Sequence, residues 1–242
     1  MATPSTAAIE RHPHLAQPCR DGYVRVDMHS HTMFSGDSTT TLEEIVESVI
    51  EAGIDVLCVT DHNAIDGAVR LQRILEGDGV CRVIVGEEVR THTGEIIGLF
   101  LNEKIPFGAN AIDTAQQIRG QGALVYVPHP FDPLRRNLTE ASLREITSLG
   151  LVDAIEAHNS KTSLTSLNAK AAEFGHEHEL ALGAGSDAHV PLALGSAYVE
   201  MPDFDGPTEF LAKLRQGTII GHHWDEARPW SPRIIPSVVE EY

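Results

Sequence analysis

The sequence predicts a single α/β domain whose parallel strands close into a barrel, and three observations carry that prediction. Short runs rich in Val, Ile and Leu alternate with stretches of helical pattern along most of the chain, and strand–helix alternation within one domain implies a parallel sheet. Six or seven such units in 242 residues favour a closed barrel over an open sheet. Nearly every candidate strand ends in His, Asp or Glu, and the strand ends of a parallel barrel meet on one face, where active sites lie.

The elements follow in order. Residues 1–21 carry Pro13 and Pro18 among scattered polar residues and no apolar run, so they are expected to be a disordered tail ahead of a barrel spanning 22–242. The expected strands are "YVRVDMH" from Tyr23, "DVLCVTD" from Asp55, "CRVIVGEEV" from Cys81, "EIIGLFL" from Glu95, "ALVYVPH" from Ala123, "DAIEAHN" from Asp153, "LALGAGSD" from Leu180 and "SAYVEM" from Ser196. Between them lie the helical stretches "TLEEIVESVIEAG", "GAVRLQRILEG", "NAIDTAQQIRGQG", "TEASLREITSLG", "SLNAKAAEFGHEHE" and "PTEFLAKLRQG". In the first of these, Thr41 and Glu44 have the spacing of a capping box and Gly53 supplies a stop.

Composition removes several classes of function. Eighteen basic against thirty-five acidic residues give a net charge of −17, which argues against general nucleic-acid binding because phosphate backbones are held by basic surfaces. A cluster of divalent cations would reverse that sign locally, so an anionic substrate is expected only where metal sits. No run of about 18 apolar residues is present, and the N-terminus lacks the apolar core of a signal peptide. Three widely spaced cysteines, Cys19, Cys58 and Cys81, argue against a disulfide framework and fit a reducing cytoplasm. Nothing in the sequence sets the oligomeric state.

Between residues 11 and 32 a His–any–His triplet occurs twice. His12 and His14 lie in the proline-broken tail, whereas His29 and His31 end a strand whose alternation sends Asp27, His29 and His31 to one side. Two imidazoles there can share one ion, with Asp27 orienting one of them. The competing reading, a strand end with two solvated histidines, is open for this pair alone. It loses force for the set His29/His31, Asp61/His62, Glu88, His129, Glu156/His158 and Asp187/His189, because the coincidence would have to recur at six strands.

"DMHSHT", "TDH", "GEE", "PHP" and "GSDAH" occur in an order and spacing that resemble the PHP (polymerase and histidinol phosphatase) phosphoesterases, over about residues 23 to 221. The resemblance implies a distorted (β/α)7 TIM-like barrel holding two or three divalent ions, Mn, Fe or Zn, that hydrolyses a small phosphomonoester by a metal-bridging hydroxide. A nucleotide or a histidinol-phosphate-like molecule is the kind of substrate implied. It also implies that His29, His31, Glu88 and Asp187 hold a first ion, that Glu88 bridges to a second bound by His129, and that Asp37, His62 and His189 hold a third. His62, Asp187 and His189 are the candidate catalytic residues on that basis. Gly86 sets the register that selects Glu88 and turns Glu87 to the opposite face, in a solvated or structural role. Glu95 stands roughly where relatives carry a histidine and is a candidate further ligand, and His158 is read as packed or supporting.

Arg135, Arg136 and Lys161 follow the strand ends closely enough to reach a phosphate from the open face. His222 and His223 could lie over the mouth of the site, without an evident mechanism. Two other functions stay in view: an amidohydrolase-type hydrolase, which also begins with His–any–His but does not predict "TDH" or "GSDAH", and a non-catalytic scaffold, which the intact ligand set disfavours.

Overall fold

The structure is a computed structural model that describes residues 3–224; residues 1–2 of the expected tail and 225–242 of the expected barrel domain lie outside the described residues. In chain order the elements are α1 (Thr6–Arg11), β1 (Tyr23–Ser30), α2 (Leu42–Ala52), β2 (Val56–Val59), α3 (Asp66–Leu75), β3 (Arg82–Thr91), β4 (Gly94–Leu99) and α4 (Ala111–Gly120). There follow β5 (Leu124–Val127), α5 (Glu140–Ser148), β6 (Ala154–Asn159), α6 (Thr165–Glu177), β7 (Ala181–Gly185), β8 (Ala197–Pro202), α7 (Gly206–Leu214) and β9 (Thr218–Gly221). The predicted cap of α2 is present: the Thr41 side chain accepts from the Glu44 amide, the Glu44 carboxylate accepts from the Thr41 amide, and Gly53 ends the helix at φ 63°.

The nine strands form one sheet in the order β7-β6-β5-β4-β3-β2-β1-β8-β9. Its two ends nearly meet. The chain just past β7 bridges β1 through Ser30 and Ala188, with the Asp187 amide donating to the His29 carbonyl and the His31 amide to that of Ala188. Apolar residues at alternate positions serve two cores. Leu57, Val59, Val83 and Val85 pack outward against Ile45, Leu71, Ile118 and Leu143 of the surrounding helices. Val56, Cys58, Ile84, Ile97 and Tyr126 pack with Phe204 and with Phe210 and Leu214 of α7, which closes the end opposite the histidine cluster. The α/β, barrel-like class expected from the sequence is therefore found.

Three expectations are corrected. The sheet is not wholly parallel: β4 runs antiparallel to β3 and to β5, and β8 to β1 and β9. Only His92 and Thr93 join β3 to β4, too short a link for a crossover, so the pair can only be a hairpin. The four-residue strand β9 was not expected at all. The segment expected to be a disordered tail is ordered against the barrel: α1 is capped by Ser5, Ala8 and Leu15 are buried in the main core, and His12 is fully buried. All three cysteines are unpaired, and no helix among the described residues is long and apolar enough to cross a membrane.

Candidate metal centre

The strand ends bring the expected ligands together. His29 and His31 leave β1, with their Nε2 atoms 3.1 Å apart. Asp187, just past β7, places Oδ1 3.4 Å from His31 and 3.8 Å from His29. Glu88, from β3, lies at the centre: one oxygen is 2.9 Å from His129 Nε2, and the other is 3.0 Å from His62 Nδ1 and 3.5 Å from both His29 and His31. Asp37 Oδ2 stands 3.5 Å from His62 and 3.2 Å from His189.

Four overlapping sets of donor atoms result: His29, His31 and Asp187; His29, Glu88 and His129; His31, Asp37, His62 and His189; and His62, Glu88 and Glu95. The first three overlap the expected groups without matching them: Glu88 is absent from the set of His29, His31 and Asp187, His29 joins Glu88 and His129, and His31 joins Asp37, His62 and His189. Glu95 is buried, but it joins His62 and Glu88 and not the set that contains His129.

Supporting residues aim these side chains. Glu156 of β6 accepts from Nδ1 of His29 at 3.1 Å, from the His129 amide at 2.6 Å and from the Asn159 side chain at 3.0 Å. Asp27, expected to orient an imidazole, accepts instead from the backbone amides of His29 and Ser186, so it joins β1 to the end of β7 and does not aim a ring. The reason is its position two residues back on β1, level with the backbone that follows β7. The Ser35 hydroxyl bonds His31 Nδ1, and Asp61 ties β2 to the loop after β1 through the Thr32 amide and hydroxyl. Backbone strain collects here: Asn63, His129, Phe131 and Asp187 have φ of 53°, 27°, 69° and 50°, a region that side-chain-bearing residues seldom occupy.

Electrostatics define what the cluster can hold. Burial alone would push Glu88 up, yet His29, His129 and His62 hold its carboxyl well below the usual range. Asp187 is held down in the same way, against burial, by Lys161, His29, His31 and Arg135. Burial lowers His62, but Asp37 and Glu88 outweigh it and push the imidazole up to about 11. Glu88 and Asp187 are therefore held as carboxylates, and against burial the charge of nearby carboxylates draws protons onto His29, His62 and His129, whereas burial holds His31 and His189 down. Glu88 Oε2 and His129 Nδ1 are buried without a hydrogen-bond partner, and two imidazole nitrogens face each other at 3.1 Å. One proton cannot satisfy so many donor atoms, whereas divalent cations bound by imidazole and carboxylate can. The residues present fit such ions.

The expected phosphate ligands differ in placement. Arg135 lies 3.8 Å from Asp187 and donates to the Lys161 carbonyl, while Lys161 Nζ is 3.7 Å from Asp187 and 2.8 Å from His189 Nδ1. Arg136 is mostly exposed, with one nitrogen 4.0 Å from Glu95. Glu87 is structural: it is buried and accepts from the Ile105 amide. His158 packs beside Gly221, outside the cluster. His222 reaches His12 rather than the donor sets. The residue missed in the sequence is the role of Glu156. A register shift in the β6–β7 ladder between Glu156 and His158 breaks the alternation that would otherwise pair their directions.

Fold and site together define a barrel-bound, multi-histidine centre that could hold metal ions. The PHP domain profile matches residues 27–203, and the chain belongs to the PHP domain family. An uncharacterized protein, MJ0417, of Methanocaldococcus jannaschii is 35% identical over 201 residues, covering 79% of each chain. A probable phosphatase of Vibrio campbellii is 35% identical over a shorter stretch of 78 residues, 28% of this chain and 31% of that one. Among solved structures, a two-domain protein containing a predicted PHP-like metal-dependent phosphoesterase from Bacteroides vulgatus superposes with a TM-score of 0.68 at 19% identity, covering 85% of this chain and 67% of that one.

Proposed function

We propose that this protein is a metal-dependent phosphomonoesterase acting on a small phosphorylated substrate. One observation carries the reading: Asp187 stands at the boundary between a metal-donor set and two cations, with Arg135 within 4 Å of Oδ2 and Lys161 within 4 Å of the same Oδ1 that faces His29 and His31. A dianionic phosphoryl group placed at that boundary meets cationic side chains on its outer oxygens, which fixes its orientation and offsets its charge. His189 stands beside Asp187 and Lys161, with His62 linked to it through Asp37, and the donor sets around Glu88 would hold two or three ions of the Mn, Fe or Zn type. Such ions supply an acidified water and neutralise charge on the leaving oxygen. The net charge of −17 repels anions elsewhere on the surface, so phosphate recognition is confined to this face.

The test is phosphate release from a panel of phosphomonoesters with Mn, beside diester, amide and lactone panels. We expect turnover on monoesters that falls by about 10³ or more in His31→Ala, which removes an atom shared by two donor sets. Turnover confined to amides or lactones would replace this reading with an amidohydrolase, and no turnover by a metal-replete protein would leave a scaffold.

A further inference from the structure

Arg135 and Lys161 come from different loops, one after β5 and one after β6; Asn159 ties the Lys161 amide to Asp187, but it does not tie the β6 loop to the β5 loop. Asp132 does. It is 1% exposed, and it sits between the loops with both oxygens engaged across the gap. Oδ1 accepts from the Leu134 amide at 3.0 Å on its own loop and from the Ser163 hydroxyl at 2.6 Å on the other. Oδ2 accepts from the Ser163 amide at 2.7 Å and the Thr162 hydroxyl at 3.3 Å. The Asp132 carbonyl accepts from the Arg135 amide, and the Arg135 guanidinium then closes the circuit on the Lys161 carbonyl.

We propose that Asp132 is a positioning residue that joins the β5 and β6 loops into one phosphate-binding unit, setting Arg135 and Lys161 at a common distance from Asp187. This rests on the reading of Arg135 and Lys161 as phosphate ligands. Asp132 touches neither metal donors nor substrate with its carboxylate; its effect passes through the two cations. Three of its four bonds cross from one loop to the other, so its removal separates the loops more than it weakens either one. The carboxylate suits this task because it only accepts, and all four of its partners are donors.

The experiment measures inorganic phosphate binding to the Mn-loaded full chain by calorimetry, with metal content fixed by elemental analysis. Asp132→Asn turns one acceptor into a donor facing donors, and we expect phosphate affinity to fall about tenfold, equivalent to one lost charge-assisted contact, at unchanged metal content. Ser163→Ala removes a single crossing bond without stranding a buried charge and gives a smaller loss in the same direction; it decides the matter if Asp132→Asn does not fold. In an Arg135→Ala, Lys161→Ala background, Asp132→Asn should cause no further loss. Wild-type affinity in Asp132→Asn, or an equal loss in that background, overturns the proposal. A metal-loaded wild type that binds no phosphate overturns the phosphomonoesterase reading and this inference with it, a result distinguishable because the unsubstituted protein already fails.

Discussion

Glu156 illustrates at the level of single residues how the site is held. Its carboxylate accepts from three donors, the His29 ring, the His129 amide and the Asn159 side chain, and so fixes which nitrogen of His29 faces the cluster. Glu156→Gln keeps the volume but turns an N–H toward one of those donors. Partners of this kind typically contribute about 10- to 100-fold to metal affinity. We expect Glu156→Gln to lose Mn at correspondingly lower chelator concentration, measured as metal content after dialysis, with the fold retained by circular dichroism. Unchanged retention would mean that His29 is aimed by β1 alone. Most of the candidate donors stand out in the sequence because they lie at or near the end of an apolar strand, a local property, whereas Asp37, in the loop before α2, is reached only through the family resemblance. What orients those donors does not stand out, because Glu156 reaches His29 across 127 positions of sequence and through a register shift that no pattern announces.

Among the elements, the closing seam between β1 and β7 leaves no room for a side chain at Gly185. A Cβ at Gly185 would stand 2.4 Å from the His29 Cβ, 2.8 Å from its amide nitrogen and 2.9 Å from Glu156 Oε1, so the last residue of β7 must be glycine for His29 to come this close. Gly185→Ala is expected to cost about 1–3 kcal/mol of stability through overpacking and to lower metal content as well. Gly120→Ala, at the end of α4 with nothing within 4 Å, should instead stabilise by about 0.5–1 kcal/mol. Thermal unfolding of the two variants beside wild type checks both signs, and equal effects would contradict the seam.

Six helices and eight strands stand close to where the periodicity of the sequence puts them, since burial of one face imposes that periodicity. The direction of β4 is set by the length of the link before it rather than by any residue within it. β9 and α1, at four and six residues, are too short to show a period.

For the whole molecule, the N-terminal segment belongs to the folded unit. His12 spans two distant parts of the chain, one ring nitrogen against the Leu192 carbonyl at 2.9 Å and the other against His222 Nε2 at 3.0 Å, while His14 bonds the Gly195 carbonyl at 2.8 Å. These contacts brace the loop that follows His189. Burial lowers His12 to about 4, with His222, His14 and Arg11 adding to the effect and the Leu192 carbonyl opposing it. The folded value lies below the unfolded value of 6.5, so the unfolded chain takes up this proton first as pH falls. The contribution of neutral His12 is thus complete above pH 6.5 and is lost as pH drops toward 4, about 3 kcal/mol in all. Urea unfolding of wild type and His12→Gln across this range should show the two curves diverging as pH rises from 4 to 6.5 and running parallel above it. Leu15→Ala provides the pH-independent counterpart: it removes a side chain 1% exposed in the main core and should cost about 2–5 kcal/mol at every pH. A segment that merely trailed from the barrel would give neither result. If both variants unfold with wild type at all pH values, the packing of residues 6–16 on the barrel is wrong, and the ligands of the metal centre must be held without it.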